Sequence, residues 1–243
     1  MIPVPLADAT PLRAWFAPER PGPLVFKHML SAGVGRCLVD RRDDPQVVLA
    51  ELPGNIALRG DPPQLTAGAL DHLAGFVDAP PEWLPVLRAA DPATAVWDRV
   101  VATLPAEVPV VKGGARLLGP GDAAALAAFE ADGAWIHETW GGPAAMAASG
   151  MARGAFDGGR LVAVATAFFV GDIYEDLGVV TDSAYRGRGL STDCSAALVA
   201  DVRARGRIPT WTTSPDNAPS LAVADRLGFQ QVRTDVLYAL RVP

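Results

Sequence analysis

In the run Val179-Val180-Thr181-Asp182-Ser183-Ala184-Tyr185-Arg186-Gly187-Arg188-Gly189-Leu190-Ser191, two arginines alternate with two glycines just ahead of an amphipathic stretch. That is chemistry for an anion. Glycine has no Cβ to hold a ligand away from the backbone, and guanidinium groups match phosphate oxygens in charge and shape. A helix opening at the end of the run adds N–H groups without intrahelical acceptors and a partial positive charge. These residue types therefore suit a diphosphate held on loop 186–191. A lone Gly-x-Gly also occurs in ordinary turns, so the flanking elements decide the reading.

The flanks agree with it. Residues 160–170 form a β-prone run that breaks at Gly171-Asp172 and resumes over 173–181, a hairpin leading into the loop. From Ser191 onward, Cys194, Ala197, Leu198 and Val202 recur at spacings of three and four, and Gly206 ends the predicted helix. Residues 208–214 read as a strand, Pro215-Asp216-Asn217 as punctuation, and Leu221, Val223, Ala224 and Leu227 as the apolar side of a second helix stopping at Gly228. Two strands follow, 229–232 and 236–242, around Arg233-Thr234-Asp235. Arg203, Arg205 and Arg207 read as a solvated helix face, whereas Arg186 and Arg188 sit on the loop itself.

With both helices in place, the chain resembles the GNAT superfamily of N-acetyltransferases. Arg186-Gly187-Arg188-Gly189-Leu190-Ser191 is similar to that family's R/Q-x-x-G-x-G/A pyrophosphate loop. Asn217-Ala218-Pro219-Ser220 through Arg226-Leu227-Gly228-Phe229 is similar to its second signature, an N-x-x-A/S helix ending in L-G-F. Upstream, Ala115-Arg116-Leu117-Leu118 and Gly121-Asp122 before an Ala/Leu/Phe helix are similar to its first strand and helix, so the resemblance covers roughly residues 110–243. Ser191 stands where Gly or Ala is usual, and Ala224 where many members carry a tyrosine that protonates the leaving thiolate.

The resemblance implies an α/β (α+β) acyl-CoA N-acyltransferase fold, a mixed central sheet flanked by helices, and transfer of an acetyl group from acetyl-CoA to a primary amine of a small molecule or protein. It implies coenzyme contacts at Val179, Val180, Thr181, Arg186, Gly187, Arg188, Gly189, Leu190, Ser191, Asn217 and Ser220, with the pantetheine arm between splayed strands and a backbone N–H near Val179 as oxyanion donor. A base must take the amine's proton. Glu175 and Asp176 are the candidates, and because strand neighbours face opposite ways only one reaches the acceptor. Glu175, on the face of Leu177 and Val179, is the expected base, the alternative being that either carboxylate projects into solvent. With Ala224 lacking a hydroxyl, Ser220 is the nearest candidate acid. Trp135, His137, Glu138 and Trp140, within 134–143, are the expected acceptor wall, although His137 beside aromatics also reads as a plain structural residue.

Residues 1–108 follow an order of strand, strand, helix, strand, helix, the pattern of a smaller, degenerate GNAT-like domain ahead of the acetyltransferase domain at 109–243. Predicted there are a helix within 22–30, strands at 35–40 and 47–52, a continuation over 55–60, helices at 66–76 and 81–89, and a short strand at 76–78. The segment Asn55 to Pro63 lacks the loop signature, so this half is expected to pack and shape without binding coenzyme. Leu104-Pro105-Ala106-Glu107-Val108-Pro109 is the expected connector. A chain of 243 residues supports one large or two modest cores. A net charge of −6 argues against a nucleic-acid partner.

Two cysteines, Cys37 and Cys194, give no disulfide framework, and no His, Cys or carboxylate spacing suggests a metal. Neither a leader pattern nor a long apolar run is present, so a cytoplasmic protein without membrane contact is expected, and two lysines against nineteen arginines fit a GC-rich bacterial genome. A homodimer is one possible assembly. Two other functions stay open: an acyl-CoA-binding regulatory module without catalysis, favoured by Ala224, and a ligand-binding protein using the cleft between halves.

Overall fold

Thr103 is paired on one side with Thr210 and on the other with Gln230, so a strand from the N-terminal part lies between two strands of the C-terminal part. That strand, β6 (Ala95–Thr103), is absent from the sequence reading: Asp98-Arg99 interrupts its apolar pattern. The computed structural model describes residues 1–65, 68–129 and 131–242. Among them, β1 (Ile2–Val4), β2 (Arg36–Val39), β3 (Val47–Leu52), β4 (Asn55–Gly60), β5 (Gly75–Asp78), β6, β7 (Arg116–Leu117), β8 (Ala152–Asp157), β9 (Arg160–Val170), β10 (Tyr174–Thr181), β11 (Ile208–Thr213) and β12 (Gln230–Leu240) form one mixed sheet. Its order is β1-β2-β3-β4-β5-β12-β6-β11-β10-β9-β8-β7. The expected α/β class, a mixed central sheet flanked by helices, is what the chain adopts.

Several local expectations change. Residues 55–60 do not prolong β3; they fold back on it, Leu52 opposite Asn55, about Pro53-Gly54. The helix expected over 66–76 is, where described, a set of turns over 68–72, and β5 begins at Gly75. The two strands expected around Arg233-Thr234-Asp235 are one strand, β12, with an irregularity between Gln231 and Arg233 that leaves Val232 51% exposed. A bulge bends a strand without ending it, which is why polar residues imitated a turn.

Helices cover both faces. Over the C-terminal strands, α5 (Leu190–Ala204) and α6 (Ala218–Leu227) bury Cys194, Leu198, Val202 and Leu227 against Leu177, Trp211 and Phe229. On the other face, α3 (Ala123–Ala127), α4 (Pro143–Ala148) and a 3-10 helix, Ala131–Trp140, enclose Leu126, Ile136, Met146 and Val164. Over the N-terminal strands, α1 (Val25–Ala32) packs Phe26 and Met29 on Val48 and Ala50, and Leu87 of α2 (Leu84–Ala90) joins Trp83, Leu49 and Tyr238 on the opposite side. Among the described residues no helix is long and apolar enough to cross a membrane.

His28 ties the halves together. The Val170 N–H donates to its Nδ1 at 3.1 Å, so the ring proton sits on Nε2 and donates to the Thr139 carbonyl at 3.0 Å. Burial holds the imidazole down at about 4. A second proton would set an N–H on Nδ1 against the N–H of Val170.

Candidate active site

β10 and β11 run parallel only from Tyr174↔Ile208 to Leu177↔Trp211, and beyond that each continues without the other. This parting opens the cleft. The Ile173 carbonyl accepts from Ile208 and the Asp182 N–H donates to Val162 on the β9 side. Backbone groups alternate along a strand, so those of Val179 and Thr181 point into the gap while those of Val180 pair with β9. The Val180 side chain still lines the cleft, whose volume is about 880 Å³.

The loop below the cleft is built for close approach. Gly187 and Gly189 both line the cleft and sit at φ 77°, a left-handed conformation that side chains rarely adopt, and neither has a Cβ to hold a ligand away from the backbone. The first intrahelical bond of α5 is Asp193 N–H to Gly189 carbonyl at 3.0 Å, which leaves the N–H groups of Leu190, Ser191 and Thr192 unused by the helix. Ser191 and Thr181 share a hydroxyl–hydroxyl bond of 2.7 Å, joining helix start to strand end. Arg186 lines the cleft; Arg188 instead lies over the Tyr185 ring, 4.7 Å from its centroid. The open backbone, unpaired N–H groups and Arg186 fit a diphosphate.

On the opposite wall the Asn217 side chain caps α6 by accepting from Ser220 N–H at 3.2 Å. The Ser220 hydroxyl accepts from Trp211 Nε1 at 2.9 Å, leaving its own proton free to donate. Ala224 is buried in the cluster with α5 and presents nothing to the cleft.

The two carboxylates fall on opposite faces, and the one that lines the cleft is Asp176, not Glu175 as expected. Glu175 does share a face with Leu177 and Val179, but α5 covers that face. It is fully buried and gripped by Arg205, through two bonds of 2.9 and 2.6 Å, and by Arg207 at 2.9 Å. The arginines expected on a solvated surface thus have structural partners; Arg203 donates to the Val108 and Pro105 carbonyls at 2.6 Å each. Asp176 faces the cleft. Thr210 and Thr212 both donate to its Oδ1, at 2.7 and 2.9 Å, and among the described residues no hydrogen bond engages Oδ2. Burial pushes this carboxyl up to about 6, against the pull of the two hydroxyls and of Arg99.

The expected acceptor wall splits in the same way. In a 3-10 helix residues three apart lie one above the other. Trp135 and Glu138 form one column and line the cleft. Ile136 and Thr139 form a second column and are fully buried. His137 and Trp140 form the third and do not reach the cleft: Trp140 donates to the Ala167 carbonyl at 2.9 Å and meets His28 edge-on. The remaining wall comes from residues the sequence did not single out, Phe76, Trp97, Arg99, Phe168 and Thr212. Trp97 and Arg99 belong to the unrecognised β6, so no periodic signal pointed to them. Among the described residues no cluster of three metal-binding side chains occurs.

Parted parallel strands over a glycine-rich helix start, with a buried carboxylate on the far side, define an acyl-coenzyme A transferase scaffold. Residues 123–238 match the family model described as GNAT acetyltransferase. The chain is 40% identical over 215 residues, 85% of its own length and 91% of the relative's, to a Streptomyces virginiae protein named uncharacterized N-acetyltransferase in mutA 5′region. Its fold is similar to that of a GCN5-related N-acetyltransferase-like protein from Streptococcus suis, at TM-score 0.75 and 18% identity over 97% of this chain and all of that one. It is also similar to a tandem GNAT protein from the clavulanic acid biosynthesis pathway, at TM-score 0.56 and 17% identity over 98% and 96% of the two chains. The chain belongs to the GNAT acetyltransferase family and is an acyltransferase.

Proposed function

We propose that the chain transfers an acetyl group from acetyl-CoA to the primary amine of a small molecule in the cytoplasm, with Asp176 as the base. The observation that carries this is the Asp176 carboxylate: lining the cleft, held by two threonines through one oxygen, with no hydrogen bond to the other among the described residues. An amine arrives mostly protonated at neutral pH. A carboxylate near pH 6 attracts that cation and is still ionised enough to accept its proton.

Loop 186–191 would hold the diphosphate, and the backbone of Val179 and Thr181 would take the arm, with the Val179 N–H also available to the carbonyl oxygen. The thioester supplies the acyl carbon: the new N–C bond forms as the C–S bond breaks, and the amine's proton balances the departing sulfur. Ser220, whose hydroxyl accepts from Trp211 and keeps its own proton to donate, would return one. The acceptor end is walled by strands of both halves, which supports a small molecule over a protein substrate.

Thiol release from acetyl-CoA with a panel of amines tests the reading, alongside thermal shift. Coenzyme at about 100 times its Kd should stabilise the fold by roughly 2.7 kcal/mol. Gly189→Asp sets a carboxylate where the diphosphate would lie and should abolish that shift; an undiminished shift would remove the loop from the proposal. Titration should saturate at one coenzyme per chain, since in the N-terminal half Asn55–Gly60 is strand and the short 3-10 helix after it, Pro62–Gln64, opens on two prolines, which have no N–H to offer a phosphate.

A further inference from the structure

Arg99 brings a cation to the acceptor end of the cleft that acyl transfer itself does not require. It rises from β6 on the same sheet face as Asp176, with β11 between them. One Nη2–H donates to the Thr212 carbonyl at 3.1 Å, and the guanidinium lies 4.4 Å from the Trp97 ring centroid. Its Nε–H is buried and has no acceptor among the described residues. Asp235, its register partner, is engaged by Arg233 at 2.5 Å, and Oδ1 of Asp176 is taken by the threonines. A guanidinium stays charged under any such burial, and a desolvated one with unused donors is completed by an anion.

Resting on the acyl-transfer reading above, we propose that Arg99 binds the carboxylate of the acceptor, making the acceptor an α-amino acid with a bulky apolar side chain. Thr212 touches both groups: its hydroxyl donates to Asp176 Oδ1 at 2.9 Å and its carbonyl accepts from Arg99 at 3.1 Å, so guanidinium and carboxylate are held a single residue apart, on the scale of the short interval between amine and carboxylate of an α-amino acid. The ring pairs Phe76–Trp97, at 4.6 Å, and Trp135–Phe168, at 5.3 Å, wall the space for its side chain. A simple amine gains nothing from Arg99, and the N-terminus of a peptide has no carboxylate to offer there.

The experiment compares L-phenylalanine and L-leucine with their amides, and with phenethylamine, in thiol release from acetyl-CoA. The free acids should exceed the amides by at least about tenfold in kcat/KM, chiefly through KM. Arg99→Met should erase that ratio, and Arg99→Lys should keep part of it. A merely structural Arg99 would lower turnover on acids and amides alike and leave the ratio intact, which overturns the assignment. Amides or phenethylamine matching the free acids in the wild type overturn it without any variant, while acyl transfer stands. No thiol release with any amine overturns both readings.

Discussion

Two adjacent carboxylates in one strand meet opposite fates because a pleat alternates, and their variants should separate cleanly. Asp176→Asn keeps an acceptor for Thr210 and Thr212 but cannot take a proton. Turnover should fall by about 10² to 10⁴, with coenzyme affinity retained. Glu175→Gln leaves Arg205 and Arg207 without their buried counter-charge, and breaking such a pair typically costs about 3–5 kcal/mol. Its signature should be a lower melting temperature, with turnover per folded molecule nearly unchanged; the reverse pattern would return the base to Glu175. The rate should rise with pH through about 6 as Asp176 ionises. Stability moves the other way. With its folded pKa raised, Asp176 binds its proton more tightly folded than unfolded, so its contribution is complete below about pH 4 and is lost as pH rises through 6. Asp176→Asn should match the wild type in stability at pH 4 and exceed it at pH 8 by on the order of 3 kcal/mol. His28, with a folded pKa depressed to about 4, has the opposite slope: its contribution is complete above about 6.5 and is lost as pH falls toward 4. Urea titrations of wild type and Asp176→Asn from pH 4 to 8 would resolve both slopes. The adjacent carboxylates on the strand were legible in the sequence, but which of them faces the cleft was not. Parity says which residues share a side, and only the packed helix says which side is covered.

Among the elements, the hairpin, the phosphate loop and the two following helices could all be read from residues 160–228, because each carries its own period and a glycine or asparagine at its end. The acceptor wall could not. Its 3-10 helix repeats every three residues, while its aromatics invited a search for a broad face, so four candidates were grouped where the geometry makes two pairs. Trp135→Ala should therefore raise the acceptor KM with little change in melting temperature. Trp140→Ala should lower melting temperature, since it removes a half-buried ring packed on the core and the bond to Ala167, and should spare the acceptor KM. Steady-state kinetics and a melt on each variant decide it.

At the scale of the whole molecule, the cleft has walls from both halves, and β6 belongs by sequence to one and by hydrogen bonding to the other. Residues 109–243 alone would keep loop 186–191 but leave β11 and β12 without the strand between them. That fragment should be insoluble or unable to bind coenzyme, and co-expression with 1–108 should restore binding; a well-folded fragment 109–243 would show that β11 and β12 can pair directly. The interposed strand also sets an order in time. β6 leaves the ribosome before either of its neighbours exists, and at about 5–20 residues per second roughly seven to thirty seconds pass before β12 is complete. For that interval it is a β-prone segment with both edges open, the kind that recruits other chains. Asp98-Arg99, the pair that hid the strand from the sequence reading, breaks its apolar run at mid-length, as charges flanked by hydrophobic residues do in protected edges. The same arginine that faces the acceptor in the finished enzyme thus guards the nascent chain, and removing the neighbouring charge by Asp98→Val should raise the fraction lost to aggregates during synthesis while leaving the purified enzyme's rate unchanged.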